Sequence, residues 1–406
     1  MNAHDNNLQA LIRRNVSGLL DEAVALRRRL HRIPEEAFQE HKTAALLQEE
    51  LCRAGIACET GFSGTGIVAT VTGSRPGNTV ALRADMDGLV LEEKTAAAYA
   101  STCPGLAHSC GHDGHMACLL AAARILSGLK DRLAGTVRCI FQPAEEAGNG
   151  ASTMLDCGAL GAPLPNAIFA LHAWPYIETG VVASMPGPIT FGNELFIITV
   201  KGRGGHGARP HESASPILAA AKIAQRVSEL TRCDGSGRPL CVVSVGMLQG
   251  GSQPNVIPDE AVIQGTMRTR SEHLRDELLQ QLQEAMAQAC SQDGLGAVLD
   301  RYHYCPPVEN HAGLFRLFEQ TADELLGAHL CEPLYEASTG SEDFGFFTRQ
   351  VPGLLIRLGM GTGCPPLHTS RFDFNDAALA AGITIMTGLA LKATEPGFCL
   401  EQGIAT

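Results

Sequence analysis

The run His108-Ser109-Cys110-Gly111-His112-Asp113-Gly114-His115 is the densest cluster of metal-binding side chains in this 406-residue sequence. Thiolate and imidazole are good ligands for zinc and other divalent transition metals. A second group, Phe141-Gln142-Pro143-Ala144-Glu145-Glu146, sets two carboxylates side by side after an apolar run. Adjacent carboxylates repel unless a cation or a shared proton reconciles them. Pro143 and the following Gly148-Asn149-Gly150 describe a tightly shaped loop rather than a solvated acidic face. One carboxylate would bind metal, and its neighbour would deprotonate a water that the metal activates. His172 in LHAW and His368 in PPLHTS say little singly, since a lone histidine is more often a satisfied polar residue than a ligand. Together these segments supply two carboxylates, a thiolate and three imidazoles on loops that one α/β sheet can bring to a single edge.

The elements that must position them read as follows. Leu8, Leu11, Ile12, Val16, Leu19 and Leu20 recur at helical spacing, and after Pro34 a second helix passes through Leu46, Leu47 and Leu51 to a stop at Gly55. Strands at 66–71, 79–83, 136–141 and 167–171 alternate with a helix from about 115 to 129, the pattern of a helix-covered α/β sheet. After Pro186-Gly187-Pro188 the order changes. A strand (194–201), a Gly-rich loop, a helix (216–230), strands (240–248 and 261–268), a helix (272–290) and a strand (297–303) make the ferredoxin-like β-α-β-β-α-β succession. The expected fold class is therefore α/β. Residues 1–187 and 307–406 form a catalytic domain around a mixed sheet, and residues 188–306 form an inserted ferredoxin-like domain. The apolar stretch 377–393 is too short and too broken by Gly and Thr to span a bilayer, and reads as a buried C-terminal helix.

A formal net charge of -12 argues against nucleic acid or an anionic membrane as the main partner. The polar start MNAHDNNLQA lacks a signal-peptide pattern, so a cytoplasmic location is expected. The 14 cysteines are scattered without a C-x-x-C pair, as reduced thiols would be. Gly202-Arg203-Gly204-Gly205-His206-Gly207 satisfies the dinucleotide pattern G-x-G-x-x-G. Pro210 and Pro216 nevertheless delay the helix on which a pyrophosphate would sit, which argues against that function.

LRADMDGL (82–89), HSCGHDGHM (108–116), FQPAEEAGNGA (141–151), LHAWP (171–175), GRGGHGARPH (202–211), QPNVIPDEA (253–261), GTMRT (265–269), GSEDFGFF (340–347) and PPLHTSRFDFND (365–376) occur in collinear order over nearly the whole chain. In these the sequence strongly resembles the aminoacylase–carboxypeptidase family of metallohydrolases, and within it the branch of hippurate hydrolases and indole-acetyl-amino-acid amidohydrolases. The resemblance implies two divalent metal ions per subunit held by Cys110, His112, Glu146, His172 and His368. Manganese would be the ion in use, with zinc, cobalt or nickel as alternatives. Glu145 would be the general base and acid. Where classical members of the wider family begin the site with H-x-D, this chain has Asp85-x-Asp87, so Asp85 and Asp87 are expected to orient ligands from behind, with direct coordination left open. The inserted domain would serve dimerisation and act as a lid. His206 would reach the partner subunit's site, and Asn255 and Arg268 would hold the substrate's carboxylate, to which a guanidinium offers two parallel hydrogen bonds. The implied activity is hydrolysis of the amide bond of N-acyl amino acids, hippurate-like, by a homodimer. A dipeptidase or carboxypeptidase on the same metal site is the alternative. A metal-storing protein is a third class, but it would have no use for Glu145.

Overall fold

The computed structural model describes residues 3–291 and 294–400. By internal contacts the chain divides into two compact units. The first comprises residues 1–189, 309–335 and 346–406. The second comprises 190–308 together with 336–345.

The first unit is built on an eight-stranded mixed sheet in the order Ala57–Phe62, Gly66–Thr72, Ala134–Gln142, Arg75–Asp85, Ala167–Trp174, Gly353–Gly359, Val182–Ser184, Cys331–Pro333. Its four central strands, from Ala134–Gln142 to Gly353–Gly359, run parallel. They read as near-continuous apolar runs because helices cover the sheet, and the strand Gly353–Gly359 is buried at every position. The expected alternation of strands and helices is present. The apolar C-terminal stretch forms the helix Leu379–Ala393, buried almost throughout. It packs against the helices Ala3–His31, His112–Gly128 and Ala312–Leu325 and against strands Arg75–Asp85 and Ala167–Trp174. Gly187–Pro188 and Glu309–Asn310, the segments leading to and from the second unit, pair antiparallel. Asn310 ties that pair to the sheet: its amide donates to Ser184 Oγ and Leu355 O, and its carbonyl accepts from Leu355 N.

The second unit has an antiparallel five-stranded sheet in the order Arg232–Cys233, Pro239–Gly250, Glu260–Thr269, Gly192–Lys201, Gly296–Cys305. Apart from the short edge strand, this is the 2-3-1-4 order of a ferredoxin-like split βαβ. Strand Gly192–Lys201 alternates buried and half-buried residues, as a sheet with one covered face must. Phe196, Ile198 and Val200 meet Ile223 and Val227 of helix Pro216–Ser228 and Leu278 and Leu282 of helix Glu272–Ala289. Segment 336–345 also joins this unit through Phe191 N, which donates to Ser338 O and Gly340 O.

Candidate metal centre

Parallel strands end at a common edge, and the sequence delivers its chemistry there. Asp85 closes strand Arg75–Asp85, the Glu145–Glu146 loop follows strand Ala134–Gln142, and His172 lies near the end of Ala167–Trp174. The helix expected from about residue 115 begins at His112 instead. Gly111, at φ +86°, turns the chain sharply enough for His112 to be its first residue. Gly114 is a helical residue selected by size, because a Cβ there would strike the ring of Phe374. Gly114→Ala is expected to cost about 1–3 kcal/mol by overpacking. Urea denaturation of the two proteins checks this.

The loops bring the five sequence-selected donors and Glu145 together. Cys110 Sγ lies 3.4 Å from His172 Nε2 and 3.2 Å from His368 Nε2, and the latter is 3.2 Å from Glu146 Oε1. His112 Nε2 stands 3.9 Å from Glu146 Oε1 and 4.0 Å from Glu145 Oε2. Among the groups that result are two triads, Cys110–His112–His172 and Cys110–Glu146–His368, each with ligand atoms within 4.8 Å of one another. Cys110 belongs to both.

Hydrogen bonds fix which ring nitrogens face the centre. His112 donates from Nδ1 to Asp87 O at 2.9 Å, with Asp87 Oδ1 at 3.2 Å, which leaves the Nε2 lone pair pointing inward. His172 donates from Nδ1 to Ala173 O at 2.8 Å. His115, one helical turn from His112, is different. Its Nε2 accepts from Ala173 N at 2.8 Å, so its Nδ1 carries the proton and donates to Asp85 Oδ1 at 2.6 Å. Both nitrogens are spent, and His115 orients the site rather than binding in it. Asp85 Oδ2 accepts from Arg83 Nη1 at 2.8 Å. The Asp87 carboxylate accepts from Glu145 N at 3.1 Å and Glu146 N at 2.9 Å. Both aspartates thus hydrogen-bond to groups around the centre, and Asp85 also falls in a candidate ligand group with His112 and His115. His115 and Arg83 were not selected from sequence; the one usable signal was the i, i+3 spacing of His115 from His112.

The donor set fits divalent cations. His112 Nε2 is buried without a hydrogen-bond partner, and a buried unpaired polar atom is costly. Burial, followed by Glu146, Glu145 and Asp85, pushes the Cys110 thiol well above its ordinary range. Burial opposes charge on His112, but Asp85, Asp87 and Glu146 more than offset it, raising its pKa to about 10. Burial, His115 and Arg357 keep His172 neutral. Proton uptake of this kind marks an excess of negative charge that bound cations would neutralise.

Behind the centre a second buried network joins four distant segments. Arg27 Nε lies 2.8 Å from Asp113 Oδ2, and the same guanidinium meets Asp373 and, at 3.5 Å, Asp376. Tyr99 donates to Asp373 Oδ2 at 2.7 Å, and Arg27 stacks over the Tyr99 ring. His31 Nδ1 lies 2.8 Å from Asp113 Oδ2 and its Nε2 3.3 Å from Glu93 Oε1. Burial resists protonation of His31, but Asp113 and Glu93 outweigh it and raise its pKa to about 9. The contribution of this raised pKa to stability is complete below the ordinary value near 6.5 and is lost as pH rises through about 9. Tm should therefore fall between pH 7 and pH 10 in the wild type and fall less steeply in His31→Gln. Equal slopes would contradict the pairing.

In the second unit, Gly205–His206 pairs with Val256–Ile257, which sets His206 beside Asn255; Gly207 N donates to Asn255 O at 2.8 Å. His206 is exposed, and its Nδ1 accepts from Ala208 N at 3.1 Å, which leaves Nε2 as a donor facing out. Arg268, on strand Glu260–Thr269, donates to Thr339 O at 3.0 Å.

Residues 81–392 match the family model of peptidase family M20/M25/M40. The chain belongs to the M20 peptidase family. Among its M20 relatives is the N-acetyl-L-cysteine deacetylase of Bacillus subtilis strain 168, 33% identical over 90% of this chain and 86% of the relative. Thermostable carboxypeptidase 1 of Saccharolobus solfataricus is 33% identical over 94% of this chain and 98% of its own. A solved structure, the Bacillus subtilis YXEP protein, described as a dinuclear metal-binding peptidase of the M20 family, aligns with TM-score 0.82 and 29% identity over 94% of this chain and 99% of that one. This M20 chain is a hydrolase of a metal-dependent amidohydrolase and peptidase family, and its mixed α/β fold is that of the family.

Proposed function

We propose that this M20 chain hydrolyses the amide bond of N-acyl amino acids, of the hippurate type, with Glu145 as general base and acid. One observation carries the reading: the Glu145 carboxylate stands 4.0 Å from the unpartnered His112 Nε2, with its backbone N–H held by Asp87. Cys110, His112 and His172 would hold one divalent ion, and Cys110, Glu146 and His368 the other. Bound there, the ions would lower the pKa of the attacking water and polarise the scissile carbonyl. Glu145 takes a proton from that water and returns it to the departing amine nitrogen. Asp87 keeps the backbone of Glu145 and Glu146 in register while this happens. His206 of the partner subunit, in a homodimer, donates from Nε2 to the carbonyl oxygen as negative charge develops on it. Arg268 and Asn255 bind the free carboxylate of the amino-acid half. Manganese is the working ion in this reading and the cytoplasm the compartment.

The deacetylase relative supports an acyl-amino-acid substrate, and the carboxypeptidase relative supports peptide cleavage on the same centre as a second reading. A panel of benzoyl-glycine, N-acetyl amino acids and dipeptides, each with manganese, zinc, cobalt or nickel restored to metal-depleted protein, separates the two. Preference for acylated amino acids is expected; turnover confined to dipeptides would replace the first reading with the second. Arg268→Lys, which gives up the two-pronged grip on carboxylate, should raise KM about tenfold with kcat little changed. Steady-state kinetics on the preferred substrate measures this.

A further inference from the structure

Ala144, the residue before the Glu145–Glu146 pair, is a non-glycine residue at φ +56°, and it is fully buried. Such a conformation is costly for a residue with a Cβ, and it persists only where the surroundings over-determine it. Three successive N–H groups are held here by two carboxylates. Glu145 N and Glu146 N donate to Asp87, while Ala144 N donates to Glu40 Oε1 at 2.9 Å. The same Glu40 oxygen accepts from Phe38 N at 2.9 Å, and Glu40 Oε2 accepts from Thr65 Oγ1 at 2.6 Å. Glu40 is itself fully buried, at the start of helix His41–Arg53. From the other side Gly150 N donates to Ala144 O at 3.2 Å, and a Cβ on Gly150 would strike Pro143 O. Asp87 therefore fixes the two peptides on which both carboxylates depend, and Glu40 fixes the turn that precedes them.

Without that acceptor, the buried Ala144 N–H is left unpaired and the left-handed turn loses what holds it. Relaxation of Ala144 towards the right-handed region rotates the peptide leading into Glu145 and swings its carboxylate. We propose that Glu40 is a positioning residue for the hydrolytic reaction, setting through Ala144 the direction in which the Glu145 carboxylate projects. The proposal rests on Glu145 being the base. Glu40 touches neither substrate nor the ligand side chains, so its effect belongs on kcat and not on metal content.

The test uses full-length protein reconstituted with cobalt, with benzoyl-glycine and N-acetyl-L-cysteine as substrates. Glu40→Leu removes both acceptor oxygens at similar volume. It should lower kcat about 10- to 100-fold with KM within about twofold, the scale expected for a misplaced catalytic group. Metal stoichiometry and cobalt–thiolate absorption should match the wild type. Glu40→Gln keeps Oε1 as an acceptor and should recover to within about fivefold of wild-type kcat. Wild-type kcat in Glu40→Leu overturns the proposal. So does a Glu40→Gln protein as impaired as Glu40→Leu, or a kcat loss matched by metal loss. If Glu40→Leu does not fold, Thr65→Val decides: it frees Oε2 only, and a several-fold drop in kcat at unchanged KM supports the role while an unchanged kcat overturns it. Glu145→Gln is run alongside. Full turnover in that protein overturns the base assignment whatever Glu40 does, whereas an inactive Glu145→Gln with wild-type kcat in Glu40→Leu overturns the role of Glu40 alone.

Discussion

Glu145→Gln should retain its full complement of metal and lose turnover by about 10²- to 10⁴-fold, the usual contribution of a positioned general base. The substitution is nearly isosteric, and the bond that anchors the loop to Asp87 Oδ1 draws on the backbone N–H of Glu145, not on its side chain. The triads Cys110–His112–His172 and Cys110–Glu146–His368 do not draw on the Glu145 carboxylate, although it lies within reach of His112 and Glu146 in a third grouping. What disappears is an oxygen able to take a proton. Metal analysis and single-turnover kinetics on the same preparation check both halves. Retained turnover would remove Glu145 from the mechanism. Turnover and metal lost together would make it a ligand instead.

Cys110→Ser is expected to have the broader effect, loss of both metal ions rather than one. Cys110 Sγ lies within 3.4 Å of both His172 Nε2 and His368 Nε2, and its residue is common to both triads. A hydroxyl is a poorer ligand than a thiolate for soft or borderline ions. The substitution also removes the one sulfur, while Asp85, Asp87, Glu145 and Glu146 remain crowded. At about micromolar free metal the variant should bind well under one ion per subunit and show no amide hydrolysis, on the principle that loss of a ligand weakens both affinity and activity. Elemental analysis after gel filtration measures this, and two ions retained would show that the thiol is not shared.

Much of the site was legible because its residue types are rare in combination. A thiol, three imidazoles and paired glutamates in strand-end loops have few structural uses, and the structure gathers all six. The ferredoxin-like order was legible because turn residues and strand periodicity are local properties. The rest depends on contacts between segments far apart in sequence. Glu40 lies in the polar run EEAFQEH, which looks like a solvated loop until Ala144, more than a hundred residues later, folds over it. Arg27 and His31 sit on an ordinary amphipathic helix, and nothing local marks them as partners of Asp113, Glu93 and Asp373. The early helix start at His112 turns on one backbone angle at Gly111. The allegiance of 336–345 was likewise invisible, because backbone bonds to Phe191 carry no side-chain signature.

The place of strand Gly353–Gly359 in the sheet has a consequence for how the protein is made. It lies beside Ala167–Trp174, and the helix Leu379–Ala393 covers Arg75–Asp85 and Ala167–Trp174, strands completed long before it. A ribosome therefore releases residues 190–308, with a sheet that needs none of these late elements, while the sheet around them still lacks a central strand and a covering helix. The sheet of the insert can form during synthesis at the usual pace of about 5–20 residues per second; that of its host must wait. His368, the last in sequence order of the proposed ligands, emerges after every strand of the host sheet. The proposed centre therefore stays incomplete until after the last strand of that sheet has been made.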